Sequence, residues 1–211
     1  MTTDDRGPET KRRSDGVRTH AAILEAATRL ASVAGLQGLT LGRLATELGV
    51  SKSGLYAHFG SKEQLQLETI EEALRIFERE VLAPAEHVEP GLRRLEAVLE
   101  AYFSYLERWV FPGGCFFASL LAELDAQGGM LHEREVKLER GWLRAFAGYV
   151  EVAQERGEIG SDVDAEQLVF ELYACMELSN YHFVLFRDAA VLERGRRAVA
   201  RLLEQANSST R

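Results

Sequence analysis

Cysteine is nearly absent from this 211-residue chain: there are two, Cys115 and Cys175, sixty positions apart. That spacing argues against a disulfide-stapled scaffold and against a zinc site. Long apolar runs are missing too. None approaches membrane-spanning length, and the opening Met-Thr-Thr-Asp-Asp-Arg-Gly-Pro has no apolar signal core, so a soluble, cytoplasmic protein is expected. The five histidines (His20, His58, His87, His132 and His182) show neither H-x-x-x-H nor H-E-x-x-H spacing, which leaves no metal-ligand motif. His132 and Glu133 fall in Leu-His-Glu-Arg-Glu, a charged stretch that reads as solvent-facing. There is no phosphate loop of the Walker kind and no G-x-G-x-x-G. Cys115 follows two glycines at an expected helix start, where a thiolate is favoured. No histidine or acid has a sequence-defined link to it, and a small buried cysteine is the commoner role. No catalytic residue, metal or cofactor is assigned, and an enzyme is not expected.

Strand-like alternation with hairpin turns is also absent, as is any internal repeat. What is present is helical. The chain is 46% hydrophobic, enough to bury a sizeable core in one or two domains. The formal charge of -8 is unevenly spread: residues 1–62 carry a net +3 and residues 63–211 a net -11. A basic N-terminal end on a larger acidic body fits a small nucleic-acid-reading module. Residues 1–15 are polar and aperiodic and are expected to form a disordered basic arm. Its Lys11-Arg12-Arg13 has two readings, phosphate or minor-groove contact and a solvated tail. A first helix from about Val17 to Ala34 places Ile23, Leu24, Ala27, Leu30 and Ala31 on one face.

Residues 39–63 carry the sharpest pattern. Leu41, Leu44, Ala45 and Leu48 share a helical face, Gly49 permits a left-handed turn, and Ser51 caps a second short helix that carries Leu55 and Phe59 inward. This is the pattern of a helix-turn-helix, whose second helix enters the major groove of double-stranded DNA. Thr40, at a helix N-terminus, is placed to meet a phosphate. Lys52 and Ser53, in the first turn of the recognition helix, are placed to reach base edges, and Gly54 lets the backbone approach the groove. Tyr56 and His58 point to flanking phosphates, and Lys62 adds a positive charge at the next helix start. A packing role for Tyr56 or His58, and a plain surface role for Lys62, remain open at this level.

Thr40, Gly49-Val50-Ser51, Gly54-Leu55-Tyr56, His58-Phe59 and Ser61-Lys62-Glu63 closely resemble the DNA-binding signature of the tetracycline-repressor (TetR) family, over residues 17–65. Gly113-Gly114-Cys115-Phe116-Phe117 resembles, more loosely, a segment of many members. The helical periodicity and its punctuation predict an all-α fold of about nine helices, with a helix-turn-helix domain at residues 16–62 and a body at residues 63–211 that the resemblance implies binds ligand and dimerises. The resemblance also implies DNA contacts by the residues just named.

Beyond residue 62 a helix opens with a capping box, Ser61 and Gln64, and runs to about Leu82 before Pro84. Further helices are expected near 91–110, 115–126, 130–156, 165–187 and 190–206. The fourth of these five is apolar nearly all round, so it should bury two faces. Leu168, Leu172, Met176 and Phe183, with Leu192, Val199 and Leu202 of the last helix, are the candidates for a homodimer interface. The same two helices form the dimer in the family that the chain resembles. A pocket for an unknown small-molecule effector is expected among Tyr105, Trp109, Phe116, Phe117, Trp142, Phe146, Tyr173, Glu177, Asn180 and His182. Aromatic residues at helical spacing are equally compatible with plain core.

Together these features suggest a homodimeric, ligand-responsive repressor released from a palindromic operator. Two alternatives stand beside it: a non-inducible architectural DNA-binding protein, and a small-molecule-binding helical protein whose helix-turn-helix contacts another protein.

Overall fold

The computed structural model describes residues 8–124 and 128–208, and side chains from Thr19 onward. The described residues are all-α. The elements are α1 (Pro8–Ala34), α2 (Leu41–Leu48), α3 (Lys52–Phe59), α4 (Lys62–Phe77), a π turn (Glu78–Leu82), α5 (Ala83–Glu86), α6 (Leu92–Glu107), α7 (Phe116–Leu124), α8 (Met130–Glu155), α9 (Ala165–Phe186) and α10 (Ala190–Ser208). Lys62 to Glu86 is helical without a break, so these make nine helical segments among the described residues. Two expected elements extend beyond the described residues. Residues 1–7 of the expected arm and residues 125–126 of the expected 115–126 helix lie outside them. Residues 8–15 of that arm are helical instead, because α1 begins at Pro8, a residue whose fixed φ and missing N–H suit the first helical position.

The chain forms two compact units, Met1–Ala73 and Leu74–Arg211. The division falls inside α4 rather than at Lys62, where the sequence pattern placed it. The first turns of α4 are tied to earlier residues of the first unit. Gln66 Nε2 donates to the Leu36 carbonyl at 2.6 Å, and His20 Nε2 lies 2.7 Å from Glu68 Oε2.

In the first unit, Ile23, Leu24, Ala27, Ala31, Leu44, Leu55, Phe59 and Leu65 are buried. Leu30, expected on the same face as the α1 residues, is only half-buried. In the second unit, a π turn precedes Pro84. Proline has no N–H to donate and its ring would crowd the carbonyl four residues back. The helix widens there, with the Ala83 N–H donating to the Glu78 carbonyl. Helices α9 and α10 pack closely at Gly195, where a Cβ would lie 2.2 Å from Ser179 Oγ. No described helix is long and apolar enough to cross a membrane.

Candidate nucleic-acid interface and effector cavity

Both short helices of the first unit are capped by side chains. Thr40 Oγ1 accepts from the Arg43 N–H at 3.1 Å to start α2. Gly49 ends α2 in the left-handed region at φ 66°, and its N–H reaches back to the last turn. Ser51 Oγ accepts from the Gly54 N–H at 3.1 Å to start α3. Leu55 and Phe59 are buried, so the rotation of α3 is fixed by its core face. Lys52, Ser53, Gly54, Tyr56 and His58 are consequently exposed. Tyr56 is 59% exposed, so its ring is not part of the core. His58 is not isolated: its ring lies 5.8 Å from His20 and 6.2 Å from Phe59. Lys62 is partly engaged, its Nζ donating to the Gln37 carbonyl at 2.9 Å, so the ammonium also fastens the α1–α2 connection.

The second unit contains a cavity of about 470 Å³, within the usual range for small-molecule sites. Its apolar wall includes Phe77, Phe117, Trp142, Met176 and Leu82. Phe77 meets the edge of Trp142 at 5.4 Å. Its polar wall includes Tyr102, Glu135, Glu139, Tyr173 and Glu177. Tyr173 donates to Glu139 Oε2 at 3.3 Å. Burial, then the neighbouring Glu139, pushes Glu135 up to about 7 against the opposing pull of Arg134. The same two causes push Glu177 up to about 7. Glu139 is also raised, chiefly by burial, with the Tyr173 hydrogen bond opposing.

Of the ten residues expected to line a pocket, Phe117, Trp142, Tyr173 and Glu177 do so. The other six do not. Tyr105, Phe116 and Phe146 are buried in the core beside the cavity. Trp109 stacks on Phe183 at 4.4 Å, with the Arg187 guanidinium 4.3 Å from its ring. Asn180 Oδ1 accepts from the Cys115 N–H at 2.8 Å, and His182 packs on Phe186 at 5.0 Å. Sequence reasoning missed Phe77, Tyr102, Glu135 and Glu139. The stretch around His132 was expected to face solvent, yet Glu135 is 3% exposed. The signal was present: Glu135 and Glu139 stand at i and i+4 with Leu138 and Trp142, on one face of α8. Cys115 lines the cavity, but burial pushes its thiol up to about 12, the opposite of an activated nucleophile. Among the described residues no three His, Cys, Asp or Glu are grouped to hold a metal.

The expected interface residues also need correction. Leu168, Leu172, Met176, Phe183, Leu192 and Val199 are buried within the unit, and Leu202 is half-buried. The outward apolar face of α9 is its other one, where Phe170, Leu178, Tyr181 and Leu185 are exposed and the Tyr181 hydroxyl donates to the Ala118 carbonyl at 3.3 Å. A helix apolar on both sides does not announce which side its own domain takes.

Two family models match the chain: "Bacterial regulatory proteins, tetR family" over residues 23–69 and "Tetracyclin repressor-like, C-terminal domain" over residues 91–199. The chain is 24% identical over 159 residues to the HTH-type transcriptional repressor DhaR of Mycobacterium sp. (strain GP1), covering 75% of this chain and 77% of that one. It is 34% identical over 82 residues to the HTH-type transcriptional regulator BetI of Agrobacterium fabrum, covering 39% of this chain but only 40% of that one. The fold matches the crystal structure of a TetR transcriptional regulator from Chloroflexus aurantiacus J-10-FL. The TM-score is 0.84 at 28% identity, covering 91% of this chain and 97% of the other.

Proposed function

The chain belongs to the TetR family of transcriptional regulators, and from that membership we propose that it is a homodimeric repressor released from a palindromic operator by a small molecule. The observation that carries the reading is α3. It is an eight-residue helix, capped at both ends and anchored by Leu55 and Phe59, that turns Lys52, Ser53, Tyr56 and His58 to solvent. Lys52 and Ser53, in its first turn, read base edges. Thr40, Tyr56, His58 and Lys62 hold phosphates, and exposed Gly54 admits the groove wall.

One short recognition helix gives too little specific affinity alone, so two copies act on half-sites about 34–36 Å apart, or a multiple of that. The exposed apolar face of α9, with the neighbouring α10, is the surface proposed to join them. The cavity of the second unit is proposed as the effector site. Leu74 and Phe77 line it and belong to the last turn of α4. A ligand seated there shifts the DNA equilibrium only by its differential affinity for the released state.

The test is binding of the purified protein to DNA flanking its own gene, against a scrambled duplex of equal length. Tight, salt-dependent and selective binding by two protomers supports the reading. Equal binding to both duplexes favours an architectural role. No duplex binding at low salt overturns the proposal and favours a protein-contacting helix-turn-helix.

A further inference from the structure

Among the described residues of the second unit, two buried polar atoms have no partner, and both belong to residues that line the cavity: the Tyr102 hydroxyl and Glu135 Oε2. Their residues are 2% and 3% exposed. A buried polar atom left unpaired is costly and calls for an explanation, which an absent ligand can supply. The surroundings say what kind of ligand. Glu135 and Glu139 come from successive turns of α8 and Glu177 from α9, and all three line the cavity together with its aromatic rings. Each is harder to ionise than a carboxylate in water, and Glu139 acts on both of the others. Burial is the first cause for all three, with Glu139 adding to it at Glu135 and Glu177, and a positive charge placed beside these groups offsets both. The Trp142 and Tyr173 rings on the same wall are compatible with that charge, and Phe77, Phe117 and Met176 favour an apolar body behind it.

We propose that the cavity binds an organic cation, an ammonium group on an apolar body, with the charge held among Glu135, Glu139 and Glu177 and the body against Trp142, Phe77 and Phe117. This deepens the effector reading above and rests on it. The remaining charged or titratable groups on the wall are Glu78 at the π turn, Arg134 and Lys137 on α8, Tyr102 on α6, Cys115, and Tyr173 on α9. Lys137 is exposed, and Arg134 only partly offsets the acids around Glu135. An anion would meet three carboxylates. A neutral ligand would need them protonated, and that is the alternative to be tested.

The experiment is calorimetric titration of the full chain with three probes that share one body and differ in the head: phenylbutylamine, phenylbutanol and phenylbutanoate. The amine is expected to bind about 10-fold or more tightly than the alcohol, the size of one charge-assisted hydrogen bond, and the carboxylate most weakly. The preference should shrink on going from pH 8 to pH 6, as the acids take up protons. It should fall several-fold in the Glu135→Gln/Glu177→Gln double variant, which keeps only Glu139 of the three and whose folding is checked by its circular dichroism melt. An alcohol that binds as well as the amine, a preference undiminished in the double variant, or no amine binding at millimolar concentration each overturns the cation. DNA affinity of the same samples without any probe tests the regulator reading separately, so either idea can fail without the other.

Discussion

Asn180 on α9 holds the loop before α7 by one bond: its Oδ1 accepts from the backbone N–H of Cys115 at 2.8 Å. The adjoining Gly114, at φ +86°, leaves no room for a side chain, because a Cβ there would lie 2.5 Å from the same Oδ1 and 2.4 Å from Val184 Cγ2. Asn180→Ala should therefore cost about 1–3 kcal/mol, the price of a buried N–H left unpaired. Gly114→Ala should cost at least as much, since strain and overlap add. Urea denaturation of both variants checks this. An Asn180→Ala protein as stable as the parent, with weakened ligand binding instead, would return Asn180 to the cavity.

The face of α3 separates two kinds of variant. Tyr56→Ala removes an exposed ring and should leave the melting temperature nearly unchanged while reducing operator affinity about 10-fold or more. Leu55→Ala empties a buried site and should cost about 2–5 kcal/mol of stability. Lys62→Ala, at the start of α4, should flatten the dependence of log affinity on log salt by about one unit, as one phosphate contact is lost. Melting curves and binding isotherms at two salt concentrations decide. A destabilised Tyr56→Ala protein with unaltered DNA affinity would make the ring a packing residue.

How much of this was legible beforehand depends on whether local rules decided the outcome. Thr40, Gly49, Ser51 and the Ser61 cap of α4, where the Gln64 N–H donates to Ser61 Oγ at 3.0 Å, all behave as their residue types require. Caps and turns are short-range, so a single sequence suffices to place them. The cavity is not short-range. Whether Trp142 faces the cavity or Phe146 fills the core beside it depends on the packing of helices distant in sequence, although the two rings stack at 5.0 Å on one helix. Polar character also misled. Asn180 was expected to bind a ligand and instead satisfies backbone, whereas Glu135, expected in water, is buried.

The α9 surface gives a third pair of variants. Leu178 and Leu185 stand two turns apart on the exposed face, and Leu185 is 71% exposed. Charge at the centre of an apolar interface is costly, so Leu178→Arg should convert a dimer to a monomer at micromolar concentration while retaining helical content. Leu172→Ala, from the opposite and buried face, should lower stability by about 2–5 kcal/mol and leave the oligomeric state alone. Sedimentation equilibrium reads the difference. If Leu178→Arg sediments as the parent does, the two copies meet elsewhere.

The acids of the cavity predict a pH dependence of stability with an unusual sign. Most carboxylates in folds are easier to ionise than in the unfolded chain and stabilise as pH rises. Glu135 and Glu177 are the reverse, held near 7 against an ordinary 4.5. Below about pH 4.5 both states carry the proton and the groups contribute nothing to the balance. Between that pH and 7 the native state binds more protons than the unfolded one, so stability falls as pH rises. Above 7 the loss is complete. Glu135→Gln removes its share. At pH 8 the variant should be more stable than the parent by about 1–3 kcal/mol, and at pH 5 the gap should be much smaller. Denaturant unfolding at fixed protein concentration and at both pH values measures the gap, and concentration must be fixed because a dimer's stability depends on it. A gap that is the same at pH 5 and pH 8 would mean that Glu135 is ionised throughout. Its neighbours would then already be screening it, and the cavity would have less reason to await a cation.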